Sequence, residues 1–403
     1  MTAGEQVEQV NPTAAGEGAL ELSVIMPCLN EAESVGQCVE KARRAMEEIG
    51  IAGEVIVADN GSTDGSRQIA ERAGARVISV RQKGYGHALM GGIAAARGRL
   101  VVMGDADDSY DFAEIPRFVE KLRQGYELVQ GSRLPAGGGS VMPGAMPALH
   151  RWWGNPMFSL LARWWFGAPI HDVYCGLRGF TKDFYRRLDL HCAGMEFATE
   201  MIIKASLRRA RIAEVPVTLY PDRRTAHGPH LRTFRDGWRT LRFFMLYSPR
   251  WLFLYPGLLL MLLGVAVGAL IIPGPRRIGR VNFDVHTLLY AAAAVVIGFQ
   301  AVAFALFAKT FAVSEGLLPE DPKMKRLLRW FSLEGGLIVG LVLLLGGIGL
   351  TVFAFAFWGR RQFGNLDPFR MLRIIVPAVT FLTMGFQVVM ASFFLGVLGM
   401  KRK

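Results

Sequence analysis

Leu100-Val-Val-Met-Gly-Asp-Ala-Asp107 is the stretch of this chain that decides its fold. The apolar residues predict a buried strand, and two carboxylates one residue apart follow it directly. Such a pair can hold one hard cation that keeps coordination positions for substrate oxygens. Ligands of open α/β sheets bind at strand ends of this kind. Because a lone Asp-x-Asp is also common in solvated acidic turns, the interpretation depends on the rest of the chain.

From Leu22 to about Tyr220, strand-like runs alternate with helix-like runs. This alternation predicts an α/β domain with a mostly parallel sheet. The strands are expected at residues 22–26, 54–58, 76–80, 100–104, 128–130 and 214–219. The helices are expected at residues 31–49, 64–73, 87–97, 113–124 and 196–211. Residues 135–147 are rich in Gly and Pro, which predicts a mobile loop.

The second half of the chain is predicted to lie in a membrane. Of the 403 residues 51% are hydrophobic, which is high for a purely soluble protein. Four apolar stretches each approach the roughly 20 residues that cross a bilayer core. They are residues 251–273, 288–308, 337–358 and 374–398. We therefore expect an all-α membrane domain of four transmembrane helices.

The N-terminal region predicts which side of the membrane carries the α/β domain. Its first 20 residues are polar and lack the pattern of a signal peptide. We expect a multi-pass protein of the cytoplasmic (inner) membrane, with the α/β domain in the cytoplasm. An even number of spans places the C-terminus on that side too. The expected division is a disordered tail (1–20), the cytosolic domain (21–225), an amphipathic interfacial helix (226–250) and the membrane domain (251–403).

The net charge of +12 is concentrated where the chain enters the membrane. Anionic headgroups attract basic residues by about 1 kcal/mol each, so a membrane surface explains the charge and nucleic acid is not expected. The interfacial helix is predicted from an apolar stripe that includes Phe234 and Trp238. A second aromatic and basic segment contains Trp152-Trp153 and Trp164-Trp165. It is either a second interfacial segment or a helix packed on the sheet.

Polar loops follow the first four predicted strands. They are residues 27–31 (Pro-Cys-Leu-Asn-Glu), 59–65 (Asp-Asn-Gly-Ser-Thr-Asp-Gly), 81–86 (Arg-Gln-Lys-Gly-Tyr-Gly) and the Asp105/Asp107 pair. On one edge of a parallel sheet they would hold a nucleotide, with Asp59 accepting from base or ribose hydroxyls. Lys83 and the backbone amides of its loop would face phosphate, and a metal on Asp105 and Asp107 would bridge the diphosphate.

The same loops have other interpretations. Asn30 and Asp64 would also serve as helix N-caps, and Asn60-Gly61 as a turn. Gly84-x-Gly86 lacks the third glycine of a dinucleotide fingerprint, and the chain has no G-x-x-x-x-G-K-[ST] loop.

Taken together and in order, these motifs resemble those of the inverting family 2 glycosyltransferases with a GT-A fold. The closer resemblance is to the polyprenyl-phosphate (dolichol-phosphate) hexose synthases. The motifs are Pro-x-x-Asn-Glu (27–31), Asp-Asn-Gly-Ser-Thr-Asp-Gly (59–65), Lys-Gly-x-Gly (83–86), Asp-Ala-Asp (105–107) and Gly-Ser-Arg (131–133). Such enzymes move a hexose, glucose or mannose, from a UDP- or GDP-sugar to the phosphate of undecaprenol or dolichol.

The resemblance assigns expected roles to individual residues. Nucleotide-sugar contacts are expected from Pro27, Leu29, Asn30, Glu31, Asp59, Asn60, Asp64, Lys83 and Asp105. Mg²⁺ or Mn²⁺ is expected on Asp105 and Asp107, and the acceptor phosphate on Ser132, Arg133 and Arg178. Asp108-Ser109 departs from the Leu-Gln of archaeal-type mannosyl synthases, so either residue would replace the glutamine ligand through water. Residues 171–178 look like a bacterial glucosyl- or mannosyl-type subgroup, which leaves the hexose open.

The charge of the acceptor predicts the mechanism. A phosphate monoester is mostly dianionic near pH 7 because its second pKa is about 6, so no strong general base is required. We expect one in-line displacement that gives a β-linked product, with Asp107, Arg133 and Arg178 as the catalytic residues. If the acceptor were a hydroxyl, a base would be needed, and the candidates are Asp172, Glu196 and Glu200.

Several alternatives stay open at this point. Arg133 and Arg178 are either acceptor ligands or structural ion-pair partners. The rival functions are a polysaccharide or lipid glycosyltransferase with a hydroxyl acceptor, and a transporter or scaffold with a nucleotide-sugar-binding domain. The expected partners are the nucleotide sugar, the polyprenyl phosphate, the bilayer and, as one possibility, further copies of the chain.

Overall fold

The computed structural model describes residues 20–222, 233–315, 318 and 333–399. The chain divides into two compact units, Met1–Thr240 and Leu241–Lys403. The predicted tail, apart from Leu20, and residues 226–232 of the predicted interfacial helix lie outside the described residues.

The first unit is built on a seven-stranded sheet. Its strands are β1 (Leu22–Cys28), β2 (Gly53–Asp59), β3 (Arg76–Ser79), β4 (Leu100–Met103), β5 (Leu128–Ser132), β7 (Arg178–Thr181) and β8 (Ile212–Pro216), in the order β3-β2-β1-β4-β7-β5-β8. Two short strands, β6 (Ser140–Val141) and β9 (Thr218–Leu219), form a separate sheet. All four side chains of β4 are buried. A continuous apolar run is typical of a strand covered on both faces.

The predicted parallel arrangement is confirmed for most of the sheet, since β1 pairs in parallel with β2 and β4, and β2 with β3. The exception is β7, which lies antiparallel between β4 and β5 and was not predicted. Its sequence, Arg-Gly-Phe-Thr, lacks a β-branched apolar run. The predicted strand 214–219 is divided because Pro216, which has no N–H to donate, ends β8.

The helices of this unit are α1 (Val35–Glu48), α2 (Ser66–Arg72), α3 (Tyr85–Ala95), α4 (Ile115–Arg123), α5 (Asn155–Phe166), α6 (Lys182–Leu188), α7 (Glu196–Leu207) and α8 (Thr233–Tyr247), which extends past the unit boundary. Helices overlap all five predicted helical segments. The first begins at Val35 rather than Glu31, because residues 32–34 form a turn and the N-cap Ser34 has a non-helical backbone (φ −125°). The predicted loop 135–147 contains a short 3₁₀ turn (Pro135–Gly137) and β6.

The second unit contains the four predicted membrane spans. Helices long and apolar enough to cross a membrane occupy Arg250–Ile271, Val285–Ser314, Leu333–Gly359 and Pro368–Leu398. The α-helices of these spans are α9 (Tyr255–Ile271), α10 (Val285–Ser314), α11 (Leu333–Gly359) and α12 (Pro368–Gly399). Glycines let neighbouring backbones approach closely, as Gly257 and Gly298 do between α9 and α10. The hairpin β10 (Arg276–Ile278) and β11 (Val281–Phe283) joins these two helices.

Candidate active site

The polar loops predicted from the sequence meet at one edge of the sheet. Because β1, β2, β3 and β4 run parallel, their carboxyl ends point the same way. The register aligns Cys28 with Asp59 and Asp59 with Ser79. The loops after these strands therefore surround one cleft-forming edge, the position at which such sheets bind ligands.

Asp59 is held by its own turn. Its carboxylate accepts hydrogen bonds from the backbone N–H of Gly61 (3.2 Å) and of Ser62 (3.0 Å), and only 2% of the residue is exposed. The Arg67 guanidinium lies 3.9 Å from the same carboxylate. The side chain is thus fixed at the end of β2, where it was predicted to meet the base or ribose.

The first two loops are cross-linked by side chains. The Oδ1 atom of Asn30 accepts from the backbone N–H of Thr63 (2.8 Å), and the N–H of Asn30 donates to the Ser62 hydroxyl (2.9 Å). Asp64 accepts from the N–H of Ala32 (3.0 Å) and of Ser66 (3.0 Å). Partial burial acts to raise the pKa of Asp64, but these hydrogen bonds hold it below its usual value. Asp64 therefore braces the loops that follow β1 and β2.

Asn60 joins the second loop to the third. Its Nδ2 donates to the carbonyls of Val80 (3.1 Å) and Gln82 (2.8 Å), while its Oδ1 accepts from the N–H of Gly84 (2.8 Å). A carboxylate could accept at this position but could not donate, which explains why an amide stands here. The nucleotide contact predicted for Asn60 stays a prediction beside this bracing role.

The Lys83 loop differs from the prediction in one respect. Its amides were expected to face phosphate, but the N–H of Gly86 donates to the Ala193 carbonyl (2.9 Å) and that of Gly84 to Asn60. The Lys83 ammonium donates to the Asn60 carbonyl (2.6 Å). The Lys83 ammonium is therefore held close to the turn that follows Asp59. The amides of Gly84 and Gly86 are used in hydrogen bonds that fix the conformation of the loop.

The Asp-Ala-Asp segment is held from several sides. The Tyr85 hydroxyl donates to Oδ1 of Asp105 (2.9 Å), and Oδ1 of Asp107 accepts from the N–H of Ser109 (3.1 Å). The buried Ser34 hydroxyl donates to the Ala106 carbonyl (2.7 Å). Sequence reasoning missed Tyr85 and Ser34, since nothing in their local pattern indicates which carbonyl or carboxylate they reach.

The neighbouring Asp108 points to a different partner. It has a left-handed backbone (φ 61°), and its carboxylate pairs with the Lys41 ammonium at 2.8 Å. Its predicted replacement of the missing glutamine ligand is therefore disfavoured, because Lys41 already neutralises it.

Asp105 and Asp107 can supply only part of the coordination shell of a divalent cation. No group of three or more His, Cys, Asp or Glu residues forms a metal site within the part of the chain that the structure describes. Mg²⁺ is usually held by one or two carboxylates together with substrate phosphates and waters. Two carboxylates at this edge of the sheet would suit an ion that arrives bound to a substrate diphosphate.

Beside this edge lies a buried ion pair. Arg133 donates from Nε to Oδ2 of Asp172 (2.7 Å) and from Nη2 to Oδ1 (2.9 Å), which is a bidentate geometry. Burial acts to raise the pKa of Asp172, but the charge and hydrogen bonds of Arg133 hold it below its usual value. The third nitrogen, Nη1, donates to the Tyr110 hydroxyl (3.3 Å).

Tyr110 connects the ion pair to the Asp-Ala-Asp segment. Its hydroxyl also accepts from the N–H of Gly176 (2.8 Å). A Cβ at Gly176 would lie 2.6 Å from Oδ2 of Asp105 and 3.2 Å from the Tyr110 ring. Glycine is thus required where Asp105 and Tyr110 pack together, and the two predicted half-sites are adjacent.

Arg178 is placed differently from the prediction. It lies on β7 with no exposed surface, and its guanidinium donates to the backbone carbonyls of Cys175 (2.9 Å), Val173 (2.8 Å) and Ala198. Burial lowers its pKa. This geometry favours a supporting role for Arg178 over direct contact with the acceptor. The Ser132 hydroxyl is also buried and has no hydrogen-bond partner among the described residues.

All three candidate bases form ion pairs, and that of Glu196 with Arg239 is the longest at 3.8 Å. Asp172 is bound to Arg133. Glu200, 1% exposed, accepts from the N–H of His191 (3.0 Å) and Cys192 (2.8 Å) and pairs with Lys204 (2.9 Å). Glu196 is half-buried at the start of α7.

The aromatic segment exposes its tryptophans. Trp152, Trp153 and Trp164 are 66%, 72% and 63% exposed. The opposite face of α5 buries Phe158, Ala162 and Phe166. One face of the segment thus packs on the protein, as the second interpretation expects. The other face is an apolar surface with Arg151 and Arg163 in the same segment, and its contact with a membrane interface stays a prediction.

Comparison with known proteins gives consistent matches. The family described as Glycosyl transferase family 2 matches residues 23–189, and the Glycosyltransferase family 2 C-terminal transmembrane region matches residues 306–399. The low-salt glycan biosynthesis hexosyltransferase Agl6 of Haloferax volcanii is 37% identical over 96% of this chain and 91% of its own. A dolichyl-phosphate hexose transferase of the same organism is 32% identical over 54% of this chain and 89% of its own.

Among solved structures, glucosyl-3-phosphoglycerate synthase from Mycobacterium tuberculosis is similar at 21% identity. The match covers 57% of this chain and 80% of that one, with a TM-score of 0.46.

Proposed function

The chain belongs to glycosyltransferase family 2, and from this premise we propose that it moves a hexose from a UDP- or GDP-sugar to a polyprenyl (undecaprenyl or dolichyl) phosphate. It is a membrane glycosyltransferase of the hexosyltransferase type, so the transporter and scaffold alternatives are set aside. We further propose that the first unit faces the cytoplasm and that the protein lies in the inner membrane.

The state of the candidate bases is the observation that carries the acceptor proposal. Asp172 and Glu200, which were considered as bases, are bound by Arg133 and Lys204. An enzyme that activates a hydroxyl needs a carboxylate or histidine able to take a proton, whereas a phosphate monoester is already ionised. Arg133 and Arg178 are two buried cations near the buried carboxylate of Asp172. This balance suits an anionic acceptor.

We propose that the donor binds along the edge formed by the loops after β1 to β4. Asp59 accepts from the nucleoside, and Lys83 faces the diphosphate. Asp105 and Asp107 would hold Mg²⁺ or Mn²⁺, which when bound neutralises the departing nucleotide diphosphate. Titration calorimetry of UDP and GDP with and without Mn²⁺ tests this, and equal affinity in both conditions would contradict it.

The proposed reaction is a single displacement. An oxygen of the acceptor phosphate attacks the anomeric carbon as the bond to the nucleotide diphosphate breaks, which inverts the α-linked donor into a β-linked product. Arg133, kept in place by Asp172 and Tyr110, would orient the acceptor phosphate. Arg178 would hold residues 173–175, which directly follow Asp172, in place through hydrogen bonds to their carbonyls.

The acceptor proposal also agrees with the surface of the first unit. Exposed tryptophans with arginines beside them are typical of the membrane interface. A lipid-borne acceptor would meet the site there.

The association of several copies of the chain into a homo-oligomer stays a prediction.

A comparison of acceptors tests the proposal. Full-length protein is incubated with UDP-Glc, UDP-Gal, UDP-GlcNAc or GDP-Man and either a short polyprenyl phosphate or the matching polyprenol, and the lipid product is counted in the organic phase. We expect transfer to the phosphate alone. Transfer to polyprenol would instead support the hydroxyl-acceptor alternative, for which half-buried Glu196 is the candidate base.

A further inference from the structure

The membrane unit contains an apolar groove of about 560 Å³ between α11 and α12. Thr351, Ala354, Phe355 and Trp358 line it from α11. Leu366, Pro368, Met371, Ile375, Ala378, Val379 and Leu382 line it from α12 and the turn before it. The Thr351 hydroxyl donates to the Gly347 carbonyl of its own helix (2.8 Å). The proton of this lining hydroxyl is therefore already used within the helix.

Changes in residue size along the two helices explain the groove. At one end the helices are in close contact, because a Cβ on Gly340 would lie 3.0 Å from the Gly385 carbonyl and one on Gly347 2.7 Å from Leu382. Beyond Thr351 the lining residues of α11 include the large side chains of Phe355 and Trp358, and Phe355 is 61% exposed. Pro377, inside α12, removes a backbone donor at this level, which is a common cause of helix bending.

The wide end of the groove is basic. It lies at the end of the bundle where α9 ends and α10 and α12 begin, since Ile271, Leu288 and Val376 pack together and Arg373 pairs with Asp284 (2.5 Å). The connections at this end carry seven arginines and only two aspartates, all described by the structure. They are Arg276, Arg277, Arg280, Arg360, Arg361, Arg370 and Arg373, against Asp284 and Asp367.

The membrane orientation does not account for this charge. The first span begins at Arg250, so this end lies on the face opposite to the one from which the chain enters the membrane. With the first unit in the cytoplasm, loops here would ordinarily be poor in Lys and Arg. A local anionic partner explains the excess. Arg361 and Arg370 flank the groove directly, next to the lining residues Trp358 and Met371.

We propose that the groove holds one anionic phospholipid of the bilayer, with an acyl chain between α11 and α12 and its phosphate beside Arg361 and Arg370. From Pro368 to Leu382 the groove follows α12 for roughly 21 Å, enough for most of an acyl chain. The Trp358 indole donates to the Gly364 carbonyl (3.0 Å), which fixes the aromatic rim in place.

The test uses the full-length protein in phosphatidylcholine nanodiscs doped with phosphatidylglycerol, followed by native mass spectrometry of retained lipid. We expect one phosphatidylglycerol per chain. The double variant Arg361→Gln, Arg370→Gln should weaken retention roughly 30-fold, since each basic residue near a headgroup contributes a factor of about five. Val379→Trp, which fills the groove from an exposed lining position, should abolish retention.

Matched controls separate this site from general membrane contact. Arg277→Gln with Arg280→Gln removes two arginines at the same end, and Val352→Trp adds a tryptophan to an exposed face of α11 outside the groove. Both should retain phosphatidylglycerol. Equal retention by the Arg361/Arg370 variant, or equal retention of phosphatidylcholine, would overturn the proposal. So would displacement of the lipid by added polyprenyl phosphate, which would identify a different occupant.

Discussion

The donor edge and the neighbouring arginine cluster differ in how their charged side chains are used. At the donor edge, Asp59 and Asp107 accept hydrogen bonds from backbone N–H groups of their own turns, within three residues. In the arginine cluster, Arg133 reaches the Asp172 carboxylate 39 residues away, and Arg178 reaches the Ala198 carbonyl 20 residues away besides two nearer carbonyls. Residues that look equally catalytic in the sequence therefore divide into side chains held by their own turns and side chains that also reach distant partners.

The largest effect is expected from Asp107→Ala. Loss of a carboxylate that would hold the cation should lower kcat about 100- to 1000-fold, comparable to removing one fixed group that stabilises transition-state charge. Steady-state transfer to polyprenyl phosphate measures it. Asp108→Ala is the matched control, because it removes an adjacent acid that binds Lys41, and it should lower kcat less than about tenfold. An equal loss of kcat in both variants would contradict the separate roles of Asp107 as a cation ligand and Asp108 as the partner of Lys41.

The next effect concerns stability. Arg178→Met removes three hydrogen bonds from a buried charged group, each worth about 1.5–3 kcal/mol, and should lower the free energy of unfolding by about 3 kcal/mol or more. Thermal unfolding of the full-length protein in detergent reports the change as a lower Tm.

Arg133→Lys, in contrast, should act mainly on the KM for the acceptor. A normal Tm for Arg178→Met combined with a raised acceptor KM would return Arg178 to the acceptor site.

A smaller effect is expected from Tyr85→Phe. The substitution removes the hydrogen bond to Asp105, worth about 1.5–3 kcal/mol when the acceptor is charged, and should raise the KM for the nucleotide sugar by about tenfold or more. Tyr126→Phe is the control, since Tyr126 contacts Arg211 through its ring. An unchanged KM in Tyr85→Phe would show that Asp105 needs no such support.

The smallest effect is a pH dependence of stability. Hydrogen bonds lower the pKa of Asp64 in the folded protein. Its stabilising contribution is therefore complete above the unfolded value of about 3.9 and is lost as pH falls through the lower folded value. Unfolding curves between pH 3 and pH 7 should show a shallower acid loss for Asp64→Asn than for the wild type. An identical slope would exclude Asp64 as a brace.

Local sequence patterns predicted the donor edge well. The β-branched runs of β1, β2 and β4 and the acids after them are contiguous in the chain, so strand and loop are recognised together. The parallel pairing then brings Asp59 and Asp105 to one edge.

The remaining features depend on distant partners. The bracing role of Asn60 requires the carbonyls of Val80 and Gln82, and Arg178 is buried because β7 inserts antiparallel between β4 and β5. None of these is indicated by residue type or spacing, since each is decided by tertiary contacts.

The claim that the acceptor supplies its own ionised nucleophile is tested most directly by kcat of Glu196→Gln. Among the described residues, Glu196 has the longest ion pair of the three candidate bases, with Nε of Arg239 3.8 Å from its Oε1. A general base contributes about 100- to 10,000-fold to kcat. The proposed mechanism predicts that kcat with polyprenyl phosphate stays within about threefold of the wild-type value, well below that range. A loss of about 100-fold or more would contradict it and make a hydroxyl-activating mechanism the better account.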